Sequence, residues 1–183
     1  MSQQALSQQV LQDRAAALLA LHQPGNPVVA LGLSNGQALV FRHSYKVSYP
    51  DGKKTITPAI EYPYGETPIV LDPQGGALDH VNLSVNDSTL VLAGSSGAQL
   101  NVLSLAREEN MMTDEVTNTE TRIDLPQMTK QVKALYIDPR QQWLYVINDR
   151  AQADVFSLRD KSLNGRYKLV DDATTEITAS TQL

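Results

Sequence analysis

Three histidines, His22, His43 and His80, are all the chain offers for imidazole chemistry, and it has no cysteine. Metal binding through histidine needs a second donor at a spacing such as H-x-H or H-E-x-x-H, which brings both ligands to one side of a strand or helix. None of the three has such a neighbour. Each reads as a strand-end residue, and no metal site is expected. Ser95 stands in "AGSSG", Ala93 to Gly97, but the pattern is not G-x-S-x-G, and nothing helical follows to build a nucleophile elbow. A turn is the plainer reading. "DPQGGALD", Asp72 to Asp79, lacks both the Lys-Ser/Thr of a P-loop and the aspartate ladder of an EF-hand. Its glycine pair reads as a tight link. Asp171 and Asp172 are adjacent, and adjacent strand residues point to opposite faces, so a solvated end is expected. No catalytic residue and no cofactor are expected.

Two stretches have the composition of binding surfaces. "RHSYKVSYPDGKK", Arg42 to Lys54, gathers Arg42, Lys46, Lys53 and Lys54 against Asp51, interleaved with Tyr45 and Tyr49. Its plain reading is a solvated hairpin tip; its functional reading is an anion-attracting or partner-docking patch. "REENMMTDEVTNTE", Arg107 to Glu120, is an acidic loop holding Met111 and Met112 among Glu108, Glu109, Asp114 and Glu115. The two methionines either tuck back onto the sheet, the plainer reading, or meet a partner.

The elements that position these stretches are legible from a repeat. Shifting Leu90–Arg107 by 53 positions lays it on Trp143–Asp160 without a gap, and Ala98, Gln99, Val102, Ser104 and Leu105 recur as Ala151, Gln152, Val155, Ser157 and Leu158. A fainter copy is Pro27–Ser44. Each copy joins two apolar runs through a polar turn, Ser34-Asn35-Gly36, Ser95-Ser96-Gly97 or Asn148-Asp149-Arg150, which is the pattern of a β-hairpin. Strand-like runs precede them at Ala16–His22, His80–Val85 and Gln131–Asp138. Others follow at Lys54–Tyr62, Thr119–Leu125 and Asn164–Val170, rich in Thr, Ile, Tyr and Val.

Four strands per unit, at a period close to that of propeller blades, predict an all-β, WD40-like β-propeller segment of about three four-stranded blades. Trp143–Ile147, apolar at every position, is expected to be a strand sandwiched between neighbours, with Trp143 buried. A β-sandwich is the rival fold. Residues 1–14, with Leu6, Val10 and Leu11 at helical spacing, are expected to form a leader, and residues 15–183 a single domain. Closed propellers use about four to eight blades. A three-blade chain is therefore expected to be a fragment of a longer region or to self-associate, two arcs closing a six-blade ring.

The 183 residues, 42% apolar and 19% charged, suit one soluble domain. A net charge of −5 argues against a nucleic-acid partner, which needs clustered Lys and Arg. No apolar run is long enough to span a bilayer. The start "MSQQALSQQ" lacks the basic and apolar regions of a signal peptide. As a whole protein the chain would be cytoplasmic; as a piece of a longer one it could lie elsewhere. The absence of cysteine fits either setting.

The wording itself carries a resemblance. "VVALGLSNGQALVFRHSYKVSYPDGKKTITPAIEYPYGETPIVLDPQGGALDHV", "LSLAREENMMTDEV" and "DPRQQWLYVINDRAQADVFSLRDKSLNGRYKL" resemble the long permease subunit of proteobacterial phosphate-type ABC transporters, from about Val28 onward. In that subfamily a large extracytoplasmic segment follows the first membrane span. The resemblance implies an inner-membrane protein of which this segment is periplasmic, belonging to a longer extracytoplasmic region. It implies a non-enzymatic docking or regulatory role in phosphate uptake. Partners would be other transporter subunits or the periplasmic binding protein. No residue that carries phosphate across the membrane falls in this segment, and without the permease helices the chain alone transports nothing. The alternative is a stand-alone lectin-like or anion-binding propeller, but the three turns share no polar motif.

Overall fold

The computed structural model describes residues 28–113 and 115–170. Within them the chain is all-β, apart from a 3-10 turn at Pro50–Gly52. The first sheet holds β1 (Val28–Gly32), β2 (Gln37–Ser48), β3 (Thr55–Glu61) and β4 (Ile69–Val70). The second holds β5 (His80–Asn86), β6 (Thr89–Ser96), β7 (Gln99–Asn110) and β8 (Glu115–Arg122). The third holds β9 (Val132–Ile137), β10 (Trp143–Asn148), β11 (Gln152–Ser157) and β12 (Ser162–Lys168). All pairings are antiparallel. The second and third sheets are simple meanders in strand order. In the first, β2 pairs with β1 along one edge, and along the other with β4 at Gln37–Ala38 and β3 at Arg42–Ser48. The coarse expectation, repeated four-strand units built around three hairpins, is met.

Strand alternation explains how the sheets stack. On β6, Leu90 and Leu92 point one way, and Val91 and Ala93 the other. The leucines join Leu83, Leu103 and Leu105 against Val28, Ala30, Ala38 and Val40 of the first sheet, with Leu71 and Leu78 from the link between the two. Val91 and Ala93 join Leu100 and Val102 against Leu135, Ile137, Leu144, Val146 and Phe156 of the third sheet, with Leu125 and Met128 from the second link. The second sheet is thus sandwiched. Its central strand is buried on both faces from Leu90 to Ser95, whereas β1 and β10 alternate between buried and half-buried residues.

Hydrogen bonds lock the seams. Asn82 Oδ1 accepts from the Ile137 amide at 2.9 Å, and Ser84 Oγ donates to the Asp138 carbonyl at 3.2 Å. Gln141 Nε2 donates to the carbonyls of Ser84 and Thr89 at 2.8 and 3.0 Å. Across the other seam the Arg122 guanidinium donates to the carbonyls of Leu71 and Val70, at 2.9 and 2.6 Å. In the third sheet the buried Asp154 carboxylate is answered by Arg166 through two hydrogen bonds, of 2.6 and 2.9 Å.

Several expectations need correction. Trp143 is not buried: in β10 only Leu144, Val146 and Asn148 are, because among the described residues the third sheet has a packed sheet on one face only. The strand expected at Thr119–Leu125 is β8, Glu115–Arg122, displaced because it pairs along the whole outer half of β7. Ile69–Val70 supplies a short fourth strand of the first sheet that the sequence reading did not anticipate. The leader, the strand expected at Ala16–His22, and Asp171-Asp172 lie outside the described residues.

Candidate docking surfaces

Two long hairpin arms dominate the surface. β2 and β7 are the second strands of equivalent hairpins, and each runs 12 residues from a glutamine, Gln37 or Gln99. Their counterpart β11 stops after 6. At about 3.3 Å per residue the two arms extend roughly 20 Å further than the third hairpin. Their bases touch, since Arg107 Nη1 donates to the Pro63 carbonyl at 3.4 Å.

The first arm has two unlike faces. Register places Arg42 with Glu61, Ser44 with Ala59 and Lys46 with Thr57 on the face turned toward the second sheet. His43 with Ile60, Tyr45 with Pro58 and Val47 with Ile56 lie on the opposite face. That second face is an apolar ladder left in solvent: Tyr45 is 60% exposed and Ile56 54%. The four basic residues do not converge. Arg42 is engaged with Glu61, Nη2 to Oε2 at 2.8 Å, while Ser44 Oγ donates to the other carboxylate oxygen at 2.5 Å. The Ser44 hydroxyl, and then Arg42, hold the Glu61 carboxyl below its usual range. Lys46 lies four residues along β2, about 13 Å away. Lys53 and Lys54 follow the turn at the exposed tip. A positive tip survives; a four-cation site does not form.

The second arm is acidic and is a hairpin rather than a loop, with β7 and β8 paired as far as Asn110 and Glu115. Met111 and Met112 cap its end, 92% and 96% exposed. They do not tuck back onto the sheet. Their exposure at a projecting tip overturns the plainer reading, in which they pack against the sheet.

A third surface is the outward face of the third sheet. Trp143, Tyr145, Ala153, Val155, Asn164, Tyr167 and Leu169 line an open concavity of about 430 Å³. Tyr136 extends it, its ring 5.6 Å from that of Tyr145 across the β9–β10 pair. Apart from Asn164 this lining is aromatic and aliphatic.

His80 opens β5 and pairs with Ser95 on β6. Burial, the largest influence, pushes its imidazole below the usual value of 6.5 against the opposing pull of Asp79. A base whose pKa falls on folding binds fewer protons folded than unfolded, so stability rises with pH across the window. The protein is expected to keep its full His80 contribution above pH 6.5 and to lose it progressively below. Urea denaturation at a series of pH values should show this slope, and His80→Gln should flatten it. Among the described residues no group of three or more His, Asp or Glu side chains is placed to hold a metal ion, and no helix is long and apolar enough to cross a membrane.

No protein-family model matches the chain, and no curated protein does. Among solved structures, the chain is similar to the crystal structure of Citrobacter koseri AztD, at 13% identity and a TM-score of 0.40. The match covers 81% of this chain and 32% of that one, so the chain spans about a third of that protein's length. A likeness at this level transfers neither substrate nor partner.

The sequence reading found both arms by composition but missed the apolar ladder and the open third-sheet face. The ladder had a signal, since Phe41, His43, Tyr45, Val47 and Tyr49 alternate with polar residues at period two. The interleaved Lys and Arg drew attention to the wrong face. The third-sheet face had no local signal, because Trp143–Ile147 is apolar whichever side is covered.

Proposed function

We propose that this chain is a non-catalytic, propeller-like docking segment of a phosphate-type ABC transporter permease, lying in the periplasm and engaging the transporter's binding protein or another of its subunits. The observation that carries the docking reading is where the exposed apolar groups stand. They occupy a projecting methionine tip, an aromatic ladder and an aromatic sheet face, with charges of opposite sign on the two arms. Aromatic residues and methionine are enriched at protein interfaces, and flanking charge steers encounter. The phosphate-uptake setting rests on the resemblance in wording from Val28 onward.

Calorimetric titration with the periplasmic phosphate-binding protein of such a transporter is expected to give saturable heat at micromolar concentrations. Inorganic phosphate alone is expected to give none. Saturation by phosphate without any response to the binding protein would favour an anion-binding module at the Lys53–Lys54 tip. No heat with the binding protein or with the transporter's remaining permease subunits would overturn the docking role.

A further inference from the structure

The first arm stands clear of the stack. Beyond Arg42 its strands β2 and β3 pair only with each other among the described residues, since the pairing of β2 with β1 ends at Arg42. Both faces of the arm are wet. Lys46 and Thr57 are exposed on the face turned toward the second sheet, although that sheet carries an arm whose strand β7 is as long as β2. A neighbour in the stack thus leaves the outer half of an arm uncovered. A further sheet of the same kind would leave the ladder of Tyr45, Val47 and Ile56 equally bare, so its occupant must be sought outside the stack.

The charges on this arm sort by position. At its base Arg42 is tied to Glu61. Toward the tip stand Lys46, Lys53 and Lys54, and no salt bridge among the described residues takes up any of them. Asp51 is the one acidic residue between Lys46 and Lys54. The tip is a closed turn, in which the Gly52 amide donates to the Tyr49 carbonyl at 3.3 Å and the Lys53 amide to the Pro50 carbonyl at 3.0 Å. That turn holds two lysines at the far end of the apolar ladder. Exposed Tyr, Val and Ile beside unpaired Lys is the composition of a surface that rests on a membrane interface. There tyrosine keeps its hydroxyl wet and its ring apolar, and lysine lays its stem along apolar groups while the ammonium reaches out. Protein interfaces favour arginine and are poor in lysine, and the arm's arginine is already engaged by Glu61.

We infer that the first arm is a docking surface for an anionic lipid bilayer, its ladder sunk into the headgroup region and Lys46, Lys53 and Lys54 on the lipid phosphates. Water still reaches the free strand edges at that depth, so the hairpin does not have to pair them. The second arm exposes Glu108, Glu115 and Glu120 and is repelled by the same surface, so the approach is by the first arm alone. This goes beyond the protein-docking role, which keeps the methionine tip and the third-sheet face, and it does not rest on the transporter reading.

Co-sedimentation of the whole chain with lipid vesicles tests this. Phosphatidylcholine vesicles containing phosphatidylglycerol are expected to carry the chain down at low salt, and pure phosphatidylcholine vesicles to carry down much less. Added salt should release it by screening the lysines. Lys46→Glu, Lys53→Glu and Lys54→Glu together should weaken binding to the anionic vesicles about a hundredfold. Tyr45→Ser with Val47→Ser should weaken it about tenfold by removing apolar contact. All five side chains are exposed, so circular dichroism should show both variants folded. Reversing three exposed cations elsewhere, through Arg140→Glu, Arg159→Glu and Lys161→Glu, changes the net charge equally and should alter binding by less than about threefold. No binding to the phosphatidylglycerol vesicles, or binding that either arm variant leaves unchanged, would overturn the inference. So would an equal loss in the charge control, which would reduce the attraction to net charge. Arm variants that abolish the calorimetric response to the binding protein, with no vesicle binding by the unaltered chain, would overturn it in favour of a protein partner for this arm.

Discussion

Phe156→Ala is expected to lower the free energy of unfolding by about 3–5 kcal/mol, the range for removing a large buried side chain and leaving its cavity. Phe156 is 2% exposed and packs among Leu144, Val146 and Ile137 in the seam between the second and third sheets. Sheets that meet face to face cannot collapse far into such a void without breaking the hydrogen bonds that tie Asn82 and Ser84 across it. Trp143→Ala provides the contrast. It removes a larger ring, but from a face with no packed sheet above it among the described residues, and should cost under about 2 kcal/mol in the monomer. Urea denaturation at concentrations that keep the chain monomeric measures both. Equal losses would mean that the Trp143 face is already covered within one chain.

The second large effect concerns Gly36, in the hairpin turn between β1 and β2. Its φ is +78°, and a methyl group there would stand 2.7 Å from the Asp72 carbonyl oxygen and 3.0 Å from the Gly75 Cα. Its own carbonyl accepts from the amides of Leu71 and Asp72 at 3.0 and 2.8 Å, so the turn cannot move away without losing the link to the second sheet. The left-handed backbone and the forced overlap together predict that Gly36→Ala costs about 2–5 kcal/mol. Gly97, in the next hairpin turn, has a φ of +61° but nothing within 4 Å of its would-be methyl. Gly97→Ala should therefore cost only about 1 kcal/mol. Similar losses at the two sites would show that backbone strain alone, not the close approach of Asp72, governs the first turn.

These two glycines also show why the fold was largely legible. Asn35-Gly36 and Ser96-Gly97 announce hairpins because the turns need a positive φ that glycine supplies freely. The third turn hides its need: Ala151 takes φ 51° without being glycine, held by Asn148 Oδ1, which accepts from the Arg150 and Gln152 amides at 2.9 and 3.2 Å. The repeat exposed this turn where local turn chemistry did not. β8 was misplaced because Glu115, Thr117 and Thr119 pair in an arm with both faces in water, so no hydrophobic period marks its start. The docking surfaces were half legible. Met111-Met112 and the basic run stand out in composition. Which face of a strand is covered depends on the order of sheets in the stack, and that information is not local to Trp143 or Tyr45.

The most direct test of the account is residue-resolved amide hydrogen exchange on the chain at a concentration that keeps it monomeric. A sheet sandwiched between two seams opens only when the whole stack unfolds, whereas strands with one wet face open locally at lower cost. The account predicts the slowest exchange for β6, from Leu90 to Gly94, intermediate exchange for β10, and the fastest for the arms beyond His43 and Arg107. If β10 outlasts β6, or the arms are protected as strongly as Leu92, the sheet order and the open faces deduced from it are wrong.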